Sequence, residues 1–293
     1  MLRGLRLYLN LLRVRQWHKN TFVLLGLFLV NNRADATLVL SALNAFLAFC
    51  LASSAVYIFN DFRDRENDRL HPVKRQRPLA AGEISVLPAL VLAGTMAVLA
   101  LILASRVSPV NGYIVLLYLA NNLFYSLWLK RLPLFDAFSI AFGFMLRIFS
   151  GTVGVGIFIT QWLVVSGFMG SLLIAFAKRY SELARYETPE KHRSVLRYYS
   201  ADVLRNFVSI MSSACIVTYA LYTVGPYDGE GVAASTPNLV YTTPFVLFGI
   251  LRFLSLVLTD NRGEDPASLV IRDKVLFLTA IGWALAYTVI LRR

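Results

Sequence analysis

Long apolar runs, separated by short polar blocks, follow one another along almost the whole chain. A helix of about twenty apolar residues crosses the hydrocarbon core of a bilayer, since each residue adds about 1.5 Å. By that measure the pattern predicts nine membrane helices, over about 17–33, 38–59, 86–105, 109–129, 134–156, 160–177, 204–224, 240–259 and 272–291. The first has a short purely apolar part, Thr21–Val30. The "NNRADA" that follows it reads as a loop rather than a processed leader. Ahead of it, Leu2, Leu5, Leu9 and Leu12 recur at helical spacing with Arg3, Arg6 and Arg13 between them. That pattern predicts a helix over about 1–14 lying in the membrane interface.

Composition supports this picture. Of the 293 residues 57% are hydrophobic and only 16% are charged, against about a quarter charged in soluble domains. The net charge of +12 would suit nucleic acid, but its distribution argues otherwise. With nine spans and the N-terminus inside, most Lys and Arg residues fall in cytoplasmic segments, whereas 225–240 carries Asp228 and Glu230 and no basic residue. This is the positive-inside pattern. Removing the first span would put the N-terminal arginines on the wrong side. We therefore read an integral protein of the inner (cytoplasmic) membrane, with no nucleic-acid partner. Cys50 and Cys215 lie in separate apolar runs without metal or redox spacing, as small core residues do.

One polar block exceeds what topology requires. "NDFRDRENDRLHPVKRQRPLAAG", Asn60 to Gly82, holds four acidic and six basic residues just beyond an apolar run. Topology accounts for the basic residues but not the acidic ones, because carboxylates contribute little to it. Asn60, Asp61, Asp64 and Asp68 fall on a helix continuing from the second span, and Asp61, Asp64 and Asp68 share one face, with Asp61 and Asp68 about 10 Å apart along the axis. Like charges at these spacings repel unless a cation sits among them. Oxygen ligands of this kind suit Mg²⁺, which binds through a few carboxylates plus substrate phosphates. The helix is expected to stop near His71, ahead of Pro72. Lys74, Arg75 and Arg77 follow, and carboxylates beside three cations suit a diphosphate.

The stretch resembles the first signature of the UbiA superfamily of intramembrane prenyltransferases, N-D-x-x-D-x-x-x-D. Its extension H-P-x-K-R-x-R-P-x-A-A-G is similar to the branch of decaprenyl-phosphate 5-phosphoribosyltransferases. So are "RVRQWHKN" at 13–20, "NNLFYSLWLKRLPLFDAFSIAFGFMLRIFSG" at 121–151 and "AKRYSEL" at 177–183. Aromatic prenyltransferases of the superfamily carry a second motif, D-x-x-x-D, after the sixth helix. Here that place reads "AKRYSELARYETPEKHR", with no Asp before Asp202. The resemblance implies an all-α polytopic membrane domain over 1–293, with nine helices around a central cavity and cytoplasmic caps at about 60–85 and 178–205.

It further implies Mg²⁺-dependent transfer of 5-phosphoribose from 5-phosphoribosyl 1-diphosphate to a decaprenyl-type polyprenyl phosphate. Pyrophosphate is released, and the product serves lipid-linked arabinose precursor synthesis. Asp61, Asp64 and Asp68 are the expected catalytic residues, and with Asn60 the metal ligands. The expected substrate contacts are Lys19, Asn60, Lys74, Arg75, Arg77, Tyr125, Lys130, Arg147, Lys178, Arg179 and Glu182.

Several of these have a second reading. Lys19 beside Trp17 also suits an interface anchor, Lys130 a topology charge, and Tyr125 and Ser126 simple packing. Arg147 fits either a cavity wall or a buried pair with a carboxylate of a neighbouring helix. Glu182 could ligate metal, bond a ribose hydroxyl or pair with Arg179. Two other functions share features of the chain. An aromatic prenyltransferase would need a carboxylate pair in the second loop. A non-catalytic lipid-phosphate carrier would bind phosphate without releasing pyrophosphate.

Overall fold

The computed structural model describes residues 2–29, 35–185, 194–224, 238–259 and 266–291. Residues 186–193 of the expected second cap, the outer loop 225–237 and the end of the first expected span, 30–33, lie outside the described residues. All regular structure among the described residues is helical. The helices are α1 (Leu2–Leu11), α2 (Leu25–Leu29), α3 (Ala36–Arg63), α4 (Arg65–Leu70), α5 (Val86–Val107), α6 (Pro109–Leu127), α7 (Phe135–Ser150), α8 (Gln161–Arg185), α9 (Ala201–Val224), α10 (Thr243–Leu258), α11 (Pro266–Arg272) and α12 (Lys274–Leu291).

Seven helical stretches among the described residues are long and apolar enough to cross a membrane: Ala36–Arg63, Val86–Val107, Phe135–Val155, Gln161–Ala184, Ala201–Val224, Leu239–Leu258 and Lys274–Leu291. They coincide with seven of the nine expected spans. The stretch 109–129 does form α6, but Asn111, Asn121 and Asn122 dilute its apolar character. The stretch 17–33 begins differently from expectation. Val14–Leu24 winds as a 3₁₀ helix, and only Leu25–Leu29 is α-helical.

The chain forms two compact units. The first comprises Met1–Phe28, Ala34–Leu127 and Leu146–Ile157. At its centre α3 packs on α5. In α3 the buried positions include Ala42, Ala45, Ala48, Ala52 and Ala55, and in α5 they are Ala89, Ala93, Ala100 and Ala104. Small side chains at these spacings let membrane helices approach closely where no water drives them together. The larger residues of α5, among them Leu87, Val91, Val98 and Ile102, face outward, as a lipid-facing surface requires.

Local signals set the helix ends. Asp35 caps α3 by accepting the Leu38 N–H at 2.7 Å. Ser108 caps α6, accepting the Asn111 N–H at 3.0 Å, with Pro109 at the first helical position, where its missing N–H costs nothing. The 3₁₀ stretch repeats every three residues, so Trp17, Asn20 and Val23 share a face. Trp17 donates to Ser54 at 3.0 Å and Asn20 to Ser53 at 3.1 Å, which ties this face to α3. Gly151 lies so close to the Val23 backbone that no Cβ fits there.

The second unit comprises Leu29–Arg33, Trp128–Met145 and Phe158–Arg293. Here α8 packs along α9, around a core that includes Ala141, Leu173, Phe176, Leu204, Val208 and Leu256. Towards the C-terminal end of α9, Tyr219 meets Thr242 at 2.7 Å and accepts from Trp283 at 2.7 Å, while Tyr222 meets Tyr287 at 3.0 Å. Arg252 of α10 donates to Asp273, between α11 and α12, at 2.9 Å.

Candidate active site

In the first unit the acidic face does not lie on one straight helix. α3 ends at Arg63, Asp64 leaves helical geometry (φ −95, ψ 3), and α4 restarts at Arg65. The chain then becomes extended at His71 ahead of Pro72, the stop expected from the proline. His71 stays in the turn, its Nδ1 accepting the Val73 and Lys74 N–H groups at 3.2 and 3.3 Å.

A straight helix would separate Asp61 and Asp68 by about 10 Å. In the structure both carboxylates meet one guanidinium nitrogen. Arg77 Nη1 donates to Asp61 Oδ1 at 3.0 Å and to Asp68 Oδ2 at 2.6 Å. Arg13 also donates to Asp61 Oδ1. The side chain of Asp61 is 2% exposed and that of Asp68 4%, whereas those of Arg13 and Arg77 are 23% and 28% exposed. Fixed anions thus lie below, and cations reach in from the rim. The repulsion expected along the acidic face is met here by guanidiniums.

Arg13 was absent from the expected contacts, although it opens the "RVRQWHKN" stretch. Its backbone is left-handed (φ 50, ψ 45), a conformation that costs a residue with a Cβ about 1–3 kcal/mol. Its guanidinium also lies over the Tyr57 ring, 5.0 Å from the centroid. Asn60 Oδ1 accepts from Ser126, which is buried on α6. Of the other expected contacts in this unit, Lys19, Lys74, Asp64 and Tyr125 are half-buried and Arg75 is exposed.

Arg147 is buried, which leaves the ordinary cost of a membrane-embedded charge to be offset locally. Its Nε donates to Asn20 Oδ1 at 2.8 Å and its Nη2 to the Tyr118 hydroxyl at 2.9 Å. The guanidinium lies 4.8 Å from the Tyr118 centroid and 5.8 Å from that of Phe49, a cation–π setting. Asn20 is the residue that anchors the 3₁₀ stretch to α3, so Arg147 braces the segment that carries Lys19.

In the second unit, Arg179 is fully buried. Its Nε donates to Asp136 Oδ2 at 2.5 Å and its Nη1 to Glu182 Oε2 at 2.7 Å. Of the three roles open to Glu182, the structure shows the pairing with Arg179. The Tyr199 hydroxyl donates to Asp136 Oδ1 at 3.0 Å and accepts the Leu134 N–H at 2.6 Å. Burial pushes the Tyr199 phenol up to about 12, so it keeps its proton for Asp136. The bond from Leu134 holds a residue with positive φ (67) at the start of α7. Sequence reasoning missed Tyr199, which no motif flagged. Lys130 and Lys178 are half-buried in this unit.

The donor chemistry of the first cluster fits a divalent metal. Asn60, Asp61, Asp64 and Asp68 offer only hard oxygens, and Mg²⁺ takes one or two protein carboxylates plus substrate oxygens. Among the described residues no three His, Cys, Asp or Glu side chains close on one point. Two carboxylates do converge, on Arg77.

Seven spans and an all-helical fold among the described residues define an integral membrane protein of the all-α class. The profile of the UbiA prenyltransferase family matches residues 20–281, and the chain belongs to that family of transferase enzymes. It is 34% identical over 281 residues to the decaprenyl-phosphate phosphoribosyltransferase of Corynebacterium glutamicum, covering 93% of this chain and 82% of that one. It is 32% identical over 286 residues to the enzyme of the same name from Mycolicibacterium smegmatis, covering 92% and 88%. Its fold matches a UbiA homolog from Archaeoglobus fulgidus bound to GPP and Mg²⁺, with TM-score 0.74, 16% identity and coverage of 98% and 100%.

Proposed function

We propose that this transferase moves 5-phosphoribose from 5-phosphoribosyl 1-diphosphate to a decaprenyl-type polyprenyl phosphate, releasing pyrophosphate, to make a lipid-linked arabinose precursor. The observation that carries the reading is the convergence of buried Asp61 of α3 and Asp68 of α4, with Arg13 and Arg77 reaching in from the rim. The two curated relatives described above, named for this phosphoribosyl transfer, support it.

Asn60, Asp61, Asp64 and Asp68 would hold Mg²⁺, which when bound neutralises a diphosphate and makes it a better leaving group. Lys74, Arg75 and Arg77 take up the remaining diphosphate charge, and Lys19 and Tyr125 contact phosphate oxygens. Lys130 and Lys178 add cationic charge suited to phosphate. An oxygen of the lipid phosphate forms the new bond to the anomeric carbon as the bond to the diphosphate oxygen breaks. That nucleophile is already anionic, so the chain needs no strong general base. A single displacement inverts the anomeric centre.

We place the acidic cluster and the N-terminus on the cytoplasmic side of the inner membrane. The segments 17–33 and 109–129 complete nine crossings. At about 2.0 Å per residue, against about 1.5 Å for an α-helix, the 3₁₀ stretch covers about a third more of a ~30 Å hydrocarbon core than α-helix of the same length.

The test is direct. Purified protein with labelled phosphoribosyl diphosphate, a polyprenyl phosphate and Mg²⁺ is expected to yield labelled lipid. Absence of label transfer, together with prenylation of 4-hydroxybenzoate from a polyprenyl diphosphate, would assign the chain to aromatic prenyl transfer instead.

A further inference from the structure

We infer that Arg13 and Arg77 keep the buried carboxylates neutralised, so that the site captures a divalent cation together with a diphosphate rather than alone. The inference rests on the proposed reaction for its ligand. It assigns to Arg13 a positioning role beyond that reading.

Asp61 and Asp68 bring two negative charges, and Arg13 and Arg77 bring two positive ones onto the same oxygens. A bare divalent cation entering this cluster would add two positive charges beside two guanidiniums, more than the one further carboxylate, the half-buried Asp64, offsets. Burial makes such charges costly unless paired. A diphosphate supplies the missing anions and offers the arginines new partners with several acceptor oxygens each.

Burial decides which partner moves. The carboxylates are almost wholly enclosed, whereas roughly a quarter of each arginine side chain is exposed. The guanidiniums can therefore turn outward to phosphate oxygens while the carboxylates stay. Arg13 adds an independent observation. It holds a left-handed backbone without being glycine, and its side chain reaches Asp61 across 48 residues of sequence. Strain of this kind persists where surrounding structure fixes it, and it clusters at ligand sites. The segment that follows Arg13 is fixed to α3 by Trp17–Ser54 and Asn20–Ser53. Arg13 therefore stands at the edge of a braced element.

Equilibrium dialysis of the full-length protein in lipid nanodiscs tests this, with Mn²⁺ as the metal probe and inorganic pyrophosphate as the diphosphate. Protein-bound Mn²⁺ and labelled pyrophosphate are both counted, and free Mn²⁺–pyrophosphate complex is allowed for. Pyrophosphate is expected to tighten Mn²⁺ binding to the wild type by roughly tenfold or more, within the usual range of coupling between two ligands. Arg13→Gln is expected to raise Mn²⁺ affinity without pyrophosphate and to shrink the coupling, and Arg13→Lys to restore it. Equal Mn²⁺ affinity with and without pyrophosphate in the wild type overturns the inference, whether or not the variants fold. So does a folded Arg13→Gln protein with unchanged coupling. Label transfer to lipid, measured on the same preparation, separates the two claims. Transfer with uncoupled Mn²⁺ binding defeats only this inference. Coupled binding without transfer defeats only the proposed reaction.

Discussion

The two charged clusters are built in opposite senses. In the first unit the anions, Asp61 and Asp68, are buried, and their arginines come from the rim. In the second unit the cation itself is sealed in, with Arg179 and Asp136 both fully buried and Tyr199 and Glu182 completing the set. A rim cation can exchange its partner for a ligand without leaving a bare charge in the interior. A sealed pair cannot, because removing either member strands the other. The contrast points to ligand exchange at Asp61–Asp68 and to a structural brace at Arg179–Asp136.

The largest expected effect breaks the brace. Arg179→Met leaves Asp136 buried beside only a phenol. It is expected to cost about 3–5 kcal/mol, the usual penalty for half of a buried pair, read as a large fall in thermal midpoint in detergent. A midpoint near wild type would mean that the second cluster is as exchangeable as the first. The second effect should appear in turnover rather than stability. Asp61→Asn leaves Arg77 on Asp68 and lets the part-exposed Arg13 turn to water, so the midpoint should change little. Phosphoribosyl transfer should fall roughly 100-fold or more, since metal-assisted charge neutralisation is worth several kcal/mol.

A smaller change sharpens the role of the rim. Lys74→Gln is expected to raise KM for the phosphoribosyl donor by roughly tenfold, the worth of one charge-assisted contact, with an unchanged melting curve. The smallest effect concerns a third pair, Arg252–Asp273. The Arg252 guanidinium and the Leu276 N–H hold the Asp273 carboxyl below its usual range. A depressed carboxylate stabilises the fold above its unfolded value, near 4, and loses that support as pH falls through the folded value. The stability difference between wild type and Asp273→Asn should therefore shrink below about pH 4, measured by thermal melts across pH.

Much of this was legible in the sequence because it rests on short-range rules. The apolar runs marked the seven spans, and Pro72 marked the stop at His71. The excess of acid at Asp61, Asp64 and Asp68 marked a cluster of which the fold buries Asp61 and Asp68. What stayed hidden depends on tertiary geometry. Asp61 and Asp68 both meet Arg77, and no spacing rule foretells which cation closes on them. Arg13 joins the cluster from 48 residues away. Asp136 and Arg147 share α7, yet Asp136 is claimed by Arg179 from α8 and Arg147 by Asn20 and Tyr118. The 3₁₀ winding of Val14–Leu24 follows its contacts with α3, and local propensity does not reveal it.

We propose that the donor's diphosphate is handled at Asp61 and Asp68, buried where α3 gives way to α4. Counting pyrophosphate released and labelled lipid formed in one reaction, for wild type and for Asp61→Asn, tests this most directly. One pyrophosphate per labelled lipid is expected from the wild type, and loss of both from a variant whose melting curve is preserved. A folded Asp61→Asn protein that makes labelled lipid at the wild-type rate would contradict it.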